Sequence, residues 1–153
     1  MAKQSAGIVA YRKAGGKYEI LLVHPGGPYW AKKDLHSWSI PKGEFEAEEE
    51  PFEAAKREFR EETGFEIEGK FIDLDPVKQA GGKIIHSWAV EAHIDTSRIK
   101  SNNFEMEWPP KSGNYKEFPE VDKAGWFSLK RAKEKIIRGQ LPFLEQLEKK
   151  LGK

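Results

Sequence analysis

The chain has 153 residues, enough for one buried core and too few for two independent catalytic domains. Its 26 Lys and Arg against 25 Asp and Glu leave a net charge of +1, so no global field holds a nucleic acid or an anionic membrane, and any polyanion must be handled locally. The absence of Cys excludes disulfides, thiolate metal sites and thiol nucleophiles, which leaves oxygen or imidazole ligands for any metal. Ser5 to Tyr11 and Tyr18 to Val23 are β-rich runs joined by Ala14-Gly15-Gly16, the composition of a hairpin. From His24 to Ser37 the pattern dissolves into Pro25-Gly26-Gly27-Pro28, then Tyr29, Trp30, Lys32, Lys33 and His36, which reads as a loop carrying aromatic and basic groups. Trp38 to Ile40 reads as a brief strand stopped by Pro41 and Gly43.

An acidic stretch follows, from Glu44 to Glu62. Pro51 suits a first helical turn, Phe52, Ala55 and Phe59 recur at helical spacing, and Gly64 stands where a left-handed C-terminal residue belongs, so a helix is predicted over Pro51 to Thr63. Phe65 to Val77 and Ile84 to His93 are predicted strands with Gly81-Gly82 between them. Thr96 to Phe118, with two consecutive prolines and no sustained period, reads as one long loop. Ala124 to Phe127 is a last short strand. Ser128 caps a helix predicted to run to about Arg138, and Pro142 opens another with Phe143, Leu144, Leu147 and Leu151 on one stripe. No apolar run approaches the ~20 residues of a membrane span, and Met1 to Ser5 lacks the layout of a signal peptide, so the expected compartment is the cytoplasm.

On the predicted helix, Glu58, Glu61 and Glu62 stand at i, i+3 and i+4, and three carboxylates share one face. Like charges so placed repel, and the arrangement calls either for open solvent or for a cation. A hard divalent ion such as Mg²⁺ takes oxygen ligands and keeps several waters, which suits a carboxylate cluster that shares its ion with a phosphate substrate. Other residues decide between the two readings. Gly43, Glu49, Arg57, Glu58, Phe59, Glu61, Glu62, Gly64 and Phe65 fit the pattern G-x5-E-x7-R-E-U-x-E-E-x-G-U at all nine specified positions, with aromatic Phe65 where the last apolar residue is more often aliphatic.

That pattern resembles the Nudix box, here spanning Gly43 to Phe65. Two strands before it, the Trp38-Ser39-Ile40-Pro41-Lys42-Gly43 entry, and a Trp126-Phe127 strand followed by a helix are similar to the layout of small MutT-like and diadenosine polyphosphate hydrolase-like members. The resemblance implies one Nudix domain over residues 1–153, an α/β/α sandwich with a central mixed sheet. It also implies hydrolysis of a phosphoanhydride in a nucleoside diphosphate linked to a group X, with Mg²⁺ or Mn²⁺. The expected metal ligands are Glu58, Glu61 and Glu62, one of which, most simply Glu58, would orient or deprotonate the attacking water. Gly43 permits a tight turn, and a carbonyl at Lys42 or Gly43 could face the ion; Gly64 ends the helix. Arg57, paired with Glu49, would orient loop against helix.

A further carboxylate is expected from a loop before Trp126; Glu120 is preferred, with Glu117, Glu105 and Glu107 also available. Lys42, Lys32 and Lys33 are candidate phosphate contacts, and Tyr29 and Trp30, with Trp108, candidate base-stacking groups. Core packing is the expected role of Trp38, Trp88 and Trp126, and the four His carry no metal or triad spacing. The expected substrate is a small nucleotide, a diadenosine polyphosphate or a (d)NTP, acted on by a monomer or homodimer without an extended nucleic-acid footprint. ADP-ribose or a nucleotide sugar is the second substrate class, and a non-catalytic nucleotide-binding module the alternative of another kind.

Overall fold

A computed structural model describes residues 3–152; Met1 and Ala2, part of the segment read above for a leader, and Lys153, the end of the expected domain, lie outside the described residues. In chain order the elements are β1 (Gln4–Ala14), β2 (Lys17–Pro25), β3 (Lys42–Glu44), α1 (Pro51–Thr63), β4 (Ile72–Lys78), β5 (Ile84–Glu91), β6 (Asn103–Glu107), β7 (Tyr115–Pro119), β8 (Val121–Ser128), α2 (Leu129–Lys135) and α3 (Leu141–Lys150). The main sheet runs β4-β5-β1-β2-β8, and β3 pairs with the N-terminal end of β1. It is mixed, because β1 runs parallel to β5 and antiparallel to β2 and β3. Side chains alternate across it, as a pleated strand requires. Ala6, Ile8, Ala10 and Leu21 face α1 and join Ala54, Ala55 and Phe59 in one core. Val9, Ile20 and Leu22 point the other way, onto Ala132, Phe143, Leu144 and Leu147. The expected sandwich is therefore the fold observed.

The first hairpin and the central helix form where the sequence placed them, and Gly15 and Gly16 turn between β1 and β2 with φ of 57° and 80°. Four local readings change. Trp38 to Ile40 makes only isolated bridges, Ser39 with Val23 and Trp38 with Ile136, and the strand forms after Pro41, where Lys42, Gly43 and Glu44 pair with Gly7, Ala6 and Ser5. The strand expected from Phe65 starts only at Ile72, because Phe65, Ile67 and Phe71 pack under α1 instead of pairing. The long loop over Thr96 to Phe118 contains the hairpin β6–β7, whose register sets Phe104 opposite Phe118 and Glu105 opposite Glu117. Finally, α2 stops at Lys135, since Trp38 takes over the next backbone groups: its N–H donates to Lys135 O at 2.9 Å and its carbonyl accepts from Ile137 N–H at 2.7 Å.

The last of these junctions is held by a buried amide that no motif announced. Gln140 is fully buried; its Oε1 accepts the Ile40 N–H at 3.0 Å and its Nε2 donates to Ser39 Oγ at 3.0 Å. Gln140→Leu keeps the bulk and orphans the Ile40 N–H, so a loss of about 1–3 kcal/mol is expected, read from the urea midpoint.

Candidate active site

The acidic face of α1 is built by opposite demands on one helix. Phe52 locks the helix start edge-on to Phe71 and Trp88, with centroids 4.8 and 5.2 Å apart. Ala54, Ala55 and Phe59 sink into the sheet, while Glu58 comes against Gly43 and Glu62 against Lys42 of β3, with Glu61 on Arg57. Gly64 closes the helix in the left-handed conformation, φ 81°, its N–H donating to Arg60 O at 2.8 Å.

Arg57 organises this face. Its Nε and Nη2 donate to Glu49 Oε2 and Oε1 at 2.7 and 2.9 Å, a bidentate fork between the loop and the helix. The sequence did not announce its third branch: Nη1 donates to Glu58 Oε2 at 2.6 Å and to both oxygens of Glu61 at 3.1 and 3.2 Å. These acceptors hold the guanidinium firmly charged. Gly43 also acts differently from the expected turn. It lies in β3, and a Cβ built there would stand 1.9 Å from Glu58 Oε1 and 2.1 Å from its carboxyl carbon. Its contribution is space for the Glu58 carboxylate.

Glu62 and Glu120 meet in a cleft of about 230 Å³ whose wall includes Trp30, Ser39 and Lys42. Burial pushes the Glu62 carboxyl up to about 8, against the opposing pull of Lys42, whose backbone N–H donates to Glu62 Oε1 at 3.3 Å. Burial raises Glu58 too, although Arg57 pulls it down, and raises Glu120, with Glu61 adding to the rise. The Lys42 amine is lowered, first by burial and then by Lys83. Of the loop acids weighed from sequence, Glu120 alone lines the cleft; Glu105 and Glu117 face one another on the hairpin, and Glu107 accepts from Lys111 N–H and Gly113 N–H at its turn.

The aromatic and basic loop divides. Trp30 reaches the cleft, and Lys33 Nζ stands 5.2 Å over its ring. Tyr29 and Lys32 lie outside the cleft wall, Tyr29 exposed and edge-on to Trp108 at 5.4 Å. Trp38 is buried, and Trp88 and Trp126 pack partly buried under α1. His24, read as structural, fastens the loop: fully buried, it places Nε2 2.7 Å from Lys33 O and Nδ1 2.8 Å from Asp122 Oδ1. A larger concavity of about 690 Å³, lined by Tyr11, Lys70, Ile72, Glu91 and His93, contains none of these carboxylates. Chemistry rather than volume marks the site.

By donor type, Glu58, Glu61, Glu62 and Glu120 fit a hard divalent cation: all are oxygen ligands, and three are held at raised pKa by burial without enough positive charge nearby. Among the described residues no three acidic or imidazole groups form a ready-made metal cluster, because Arg57 stands between Glu58 and Glu61 while Glu62 faces Lys42.

An α/β/α sandwich whose loop, helix and closing glycine present an arginine-braced carboxylate face to a cleft defines a Nudix-type domain. The family model described as NUDIX domain matches residues 1–147, and the chain belongs to that family, whose members generally use a divalent metal. A bis(5'-nucleosyl)-tetraphosphatase (asymmetrical) of Caenorhabditis elegans is 38% identical over 75 residues, 49% of this chain and 50% of that protein, so the match spans about half the relative's length. An RNA pyrophosphohydrolase of Bartonella henselae is 27% identical over 146 residues, 83% of this chain and 76% of that protein. A crystal structure of a C. elegans Ap4A hydrolase binary complex superposes with a TM-score of 0.62 at 23% identity, covering 98% of each chain, which is a likeness of fold. No helix among the described residues is long and apolar enough to cross a membrane.

Proposed function

We propose that this chain is a divalent-cation-dependent pyrophosphohydrolase, one catalytic domain that cleaves a phosphoanhydride by water attack, with a dinucleoside polyphosphate as substrate and a (d)NTP next. The observation that carries this reading is the cleft in which Glu62, Glu120 and Lys42 meet beside an α1 face bearing Glu58 and Glu61. Glu58, Glu61, Glu62 and Glu120 would hold Mg²⁺, or Mn²⁺ in its place. A cation so held supplies charge for the phosphate oxygens and lowers the pKa of bound water. The protein's own residues do the rest. Arg57 and Glu49 keep loop and helix in register, which fixes the entry loop against the helix that carries the carboxylates. The Glu58 carboxylate, mostly buried and close to Glu61 and Glu120, is the group proposed to take the proton from the attacking water. Both Lys42 and Trp30 line the cleft, where Lys42 would meet a phosphate oxygen and Trp30 would stack on a base.

The dinucleoside substrate is supported by the name of the C. elegans relative. A second reading, a 5'-triphosphorylated RNA end, is favoured by the longer match to the Bartonella protein. Ion-exchange analysis of products after incubation with Mg²⁺ separates them. The panel comprises diadenosine tetraphosphate, nucleoside triphosphates, ADP-ribose, a nucleotide sugar and triphosphorylated RNA. Chelator-sensitive release of ATP and AMP from diadenosine tetraphosphate is the expected result. Faster cleavage of the RNA end moves the assignment there, and no cleavage of any member with Mg²⁺ or Mn²⁺ overturns the catalytic reading in favour of a nucleotide-binding module.

A further inference from the structure

Glu120 sits between β7 and β8, and a relay of backbone hydrogen bonds sets its place. Asn102 N–H donates to Glu61 O at 2.7 Å, Glu120 N–H donates to Asn102 O at 2.8 Å, and Gly26 N–H donates to Glu120 O at 2.9 Å. The relay starts in the last turn of α1, passes the foot of the β6–β7 hairpin and ends just after β2. It fixes the Glu120 backbone against the helix that carries the other three carboxylates. Ser101 braces the following residue: its Oγ accepts from Val121 N–H at 3.1 Å and lies 3.1 Å from Val121 O.

The far end of this relay tolerates one residue type. Gly26 is buried, and a Cβ there would stand 1.9 Å from Pro119 O and 2.9 Å from the Pro119 carbonyl carbon. A backbone oxygen cannot swing away as the end of a side chain can, so an added methyl moves the Pro119–Glu120 peptide itself. At this point the β2–β8 pairing shifts register: His24 pairs with Lys123 and Pro25 with Val121. The intervening Asp122 is left outside the ladder, and its carboxylate meets the His24 ring. The irregularity thus falls where Glu120 is delivered to the cleft.

We propose that Gly26 is a positioning residue for Glu120: its lack of a side chain lets the end of β2 close on the Pro119–Glu120 peptide and hold the Glu120 carboxylate opposite Glu62. The proposal rests on the reading of Glu120 as a working carboxylate of the cleft. Gly26→Ala leaves every acidic group in the protein and displaces one of them, whereas Glu120→Gln leaves the backbone and removes the charge. If both act through the same carboxylate, their effects do not multiply.

The test is a double-mutant cycle on the full chain with two readouts: kcat/KM for diadenosine tetraphosphate, and binding of Mn²⁺ to the protein without substrate, followed by the paramagnetic resonance of the free ion. Gly26→Ala and Glu120→Gln are each expected to weaken Mn²⁺ binding and lower kcat/KM roughly tenfold, the usual scale for a lost supporting contact. In the Glu120→Gln background Gly26→Ala is expected to cost nothing more. Losses that multiply overturn the proposal. Wild-type behaviour of Glu120→Gln overturns the reading of Glu120 and the proposal with it. Failure of the substrate assignment shows separately, as intact Mn²⁺ binding without turnover, and the cycle is then scored on Mn²⁺ alone. Ser101→Ala covers the case in which Gly26→Ala does not fold. It is expected to shift Mn²⁺ binding about threefold, the scale of one neutral hydrogen bond, and to be silent in the Glu120→Gln background. A shift that persists there means that this junction does not act through Glu120, which overturns the proposal.

Discussion

Glu62→Gln is expected to fold, to resist denaturation at least as well as the parent, and to lose about 10²- to 10³-fold in kcat, the scale of removing one preorganised electrostatic contact. The two halves of this expectation have one cause. The Glu62 carboxyl ionises at about 8 because burial penalises the charged form more than Lys42 favours it. An unfolded chain ionises this group near 4.5, the ordinary value of a free glutamate, so between about 4.5 and 8 the unfolded state has already released a proton that the folded state retains. Stability contributed by the group therefore falls as pH rises through that window. Gln carries no such liability. In the presence of chelator, the midpoint of Glu62→Gln should overtake that of the parent as pH rises from 5 to 8. Glu58→Gln should lose turnover on the same scale, since its carboxylate is mostly buried and braced by Arg57. Glu105→Gln is the control: exposed on the hairpin opposite Glu117, it should leave kcat within twofold. Near-parental turnover of Glu58→Gln and Glu62→Gln together would remove the carboxylate face from the mechanism.

What was legible in the sequence follows from how local each signal is. The helix over Pro51–Thr63 and its glycine stop depend on neighbours within one or two turns, and both ends form as predicted. The Arg57–Glu49 fork was readable because both residues fill specified positions of the box-like pattern, and the resemblance implies their pairing. Strand limits failed where tertiary contacts decide them. Phe65, Ile67 and Phe71 look like strand residues and are used as packing, and Trp38 to Ile40 makes isolated bridges to Val23 and Ile136 while the strand forms over Lys42–Glu44. The β6–β7 hairpin did carry a signal, strict alternation through Asn103-Phe104-Glu105-Met106-Glu107, which the neighbouring prolines and polar turn masked. Gly26, Ser101, Asn102 and Gln140 had no comparable signal, for their partners lie far along the chain and several of their contacts run through backbone atoms that every residue possesses.

Gly43→Ala should cost about 10²-fold in kcat with a stability change within about 1 kcal/mol, and the contrast between the two numbers is the point of the experiment. A glycine is often kept for a left-handed φ, yet Gly43 lies in β3 without one, so alanine meets no backbone strain there. What it meets is the end of one side chain, Glu58, at 1.9 Å. A flexible side chain would yield cheaply. This one is held at 2.6 Å by Arg57 Nη1, and Arg57 is itself anchored twice on Glu49, so the carboxylate leaves its position only by breaking that contact. The fold thus survives while the group facing the reaction moves by an ångström or more, a displacement on the scale that costs reactions about two orders of magnitude. Two comparisons separate this account from general damage to β3. Gly81→Ala, at an open turn position with no atom within reach of the added methyl, should change nothing. In a Glu58→Asp background, where the side chain is one methylene shorter, Gly43→Ala should cost much less than it does in the parent. Equal costs in both backgrounds would mean that Gly43 acts through the β1–β3 pairing and not through Glu58.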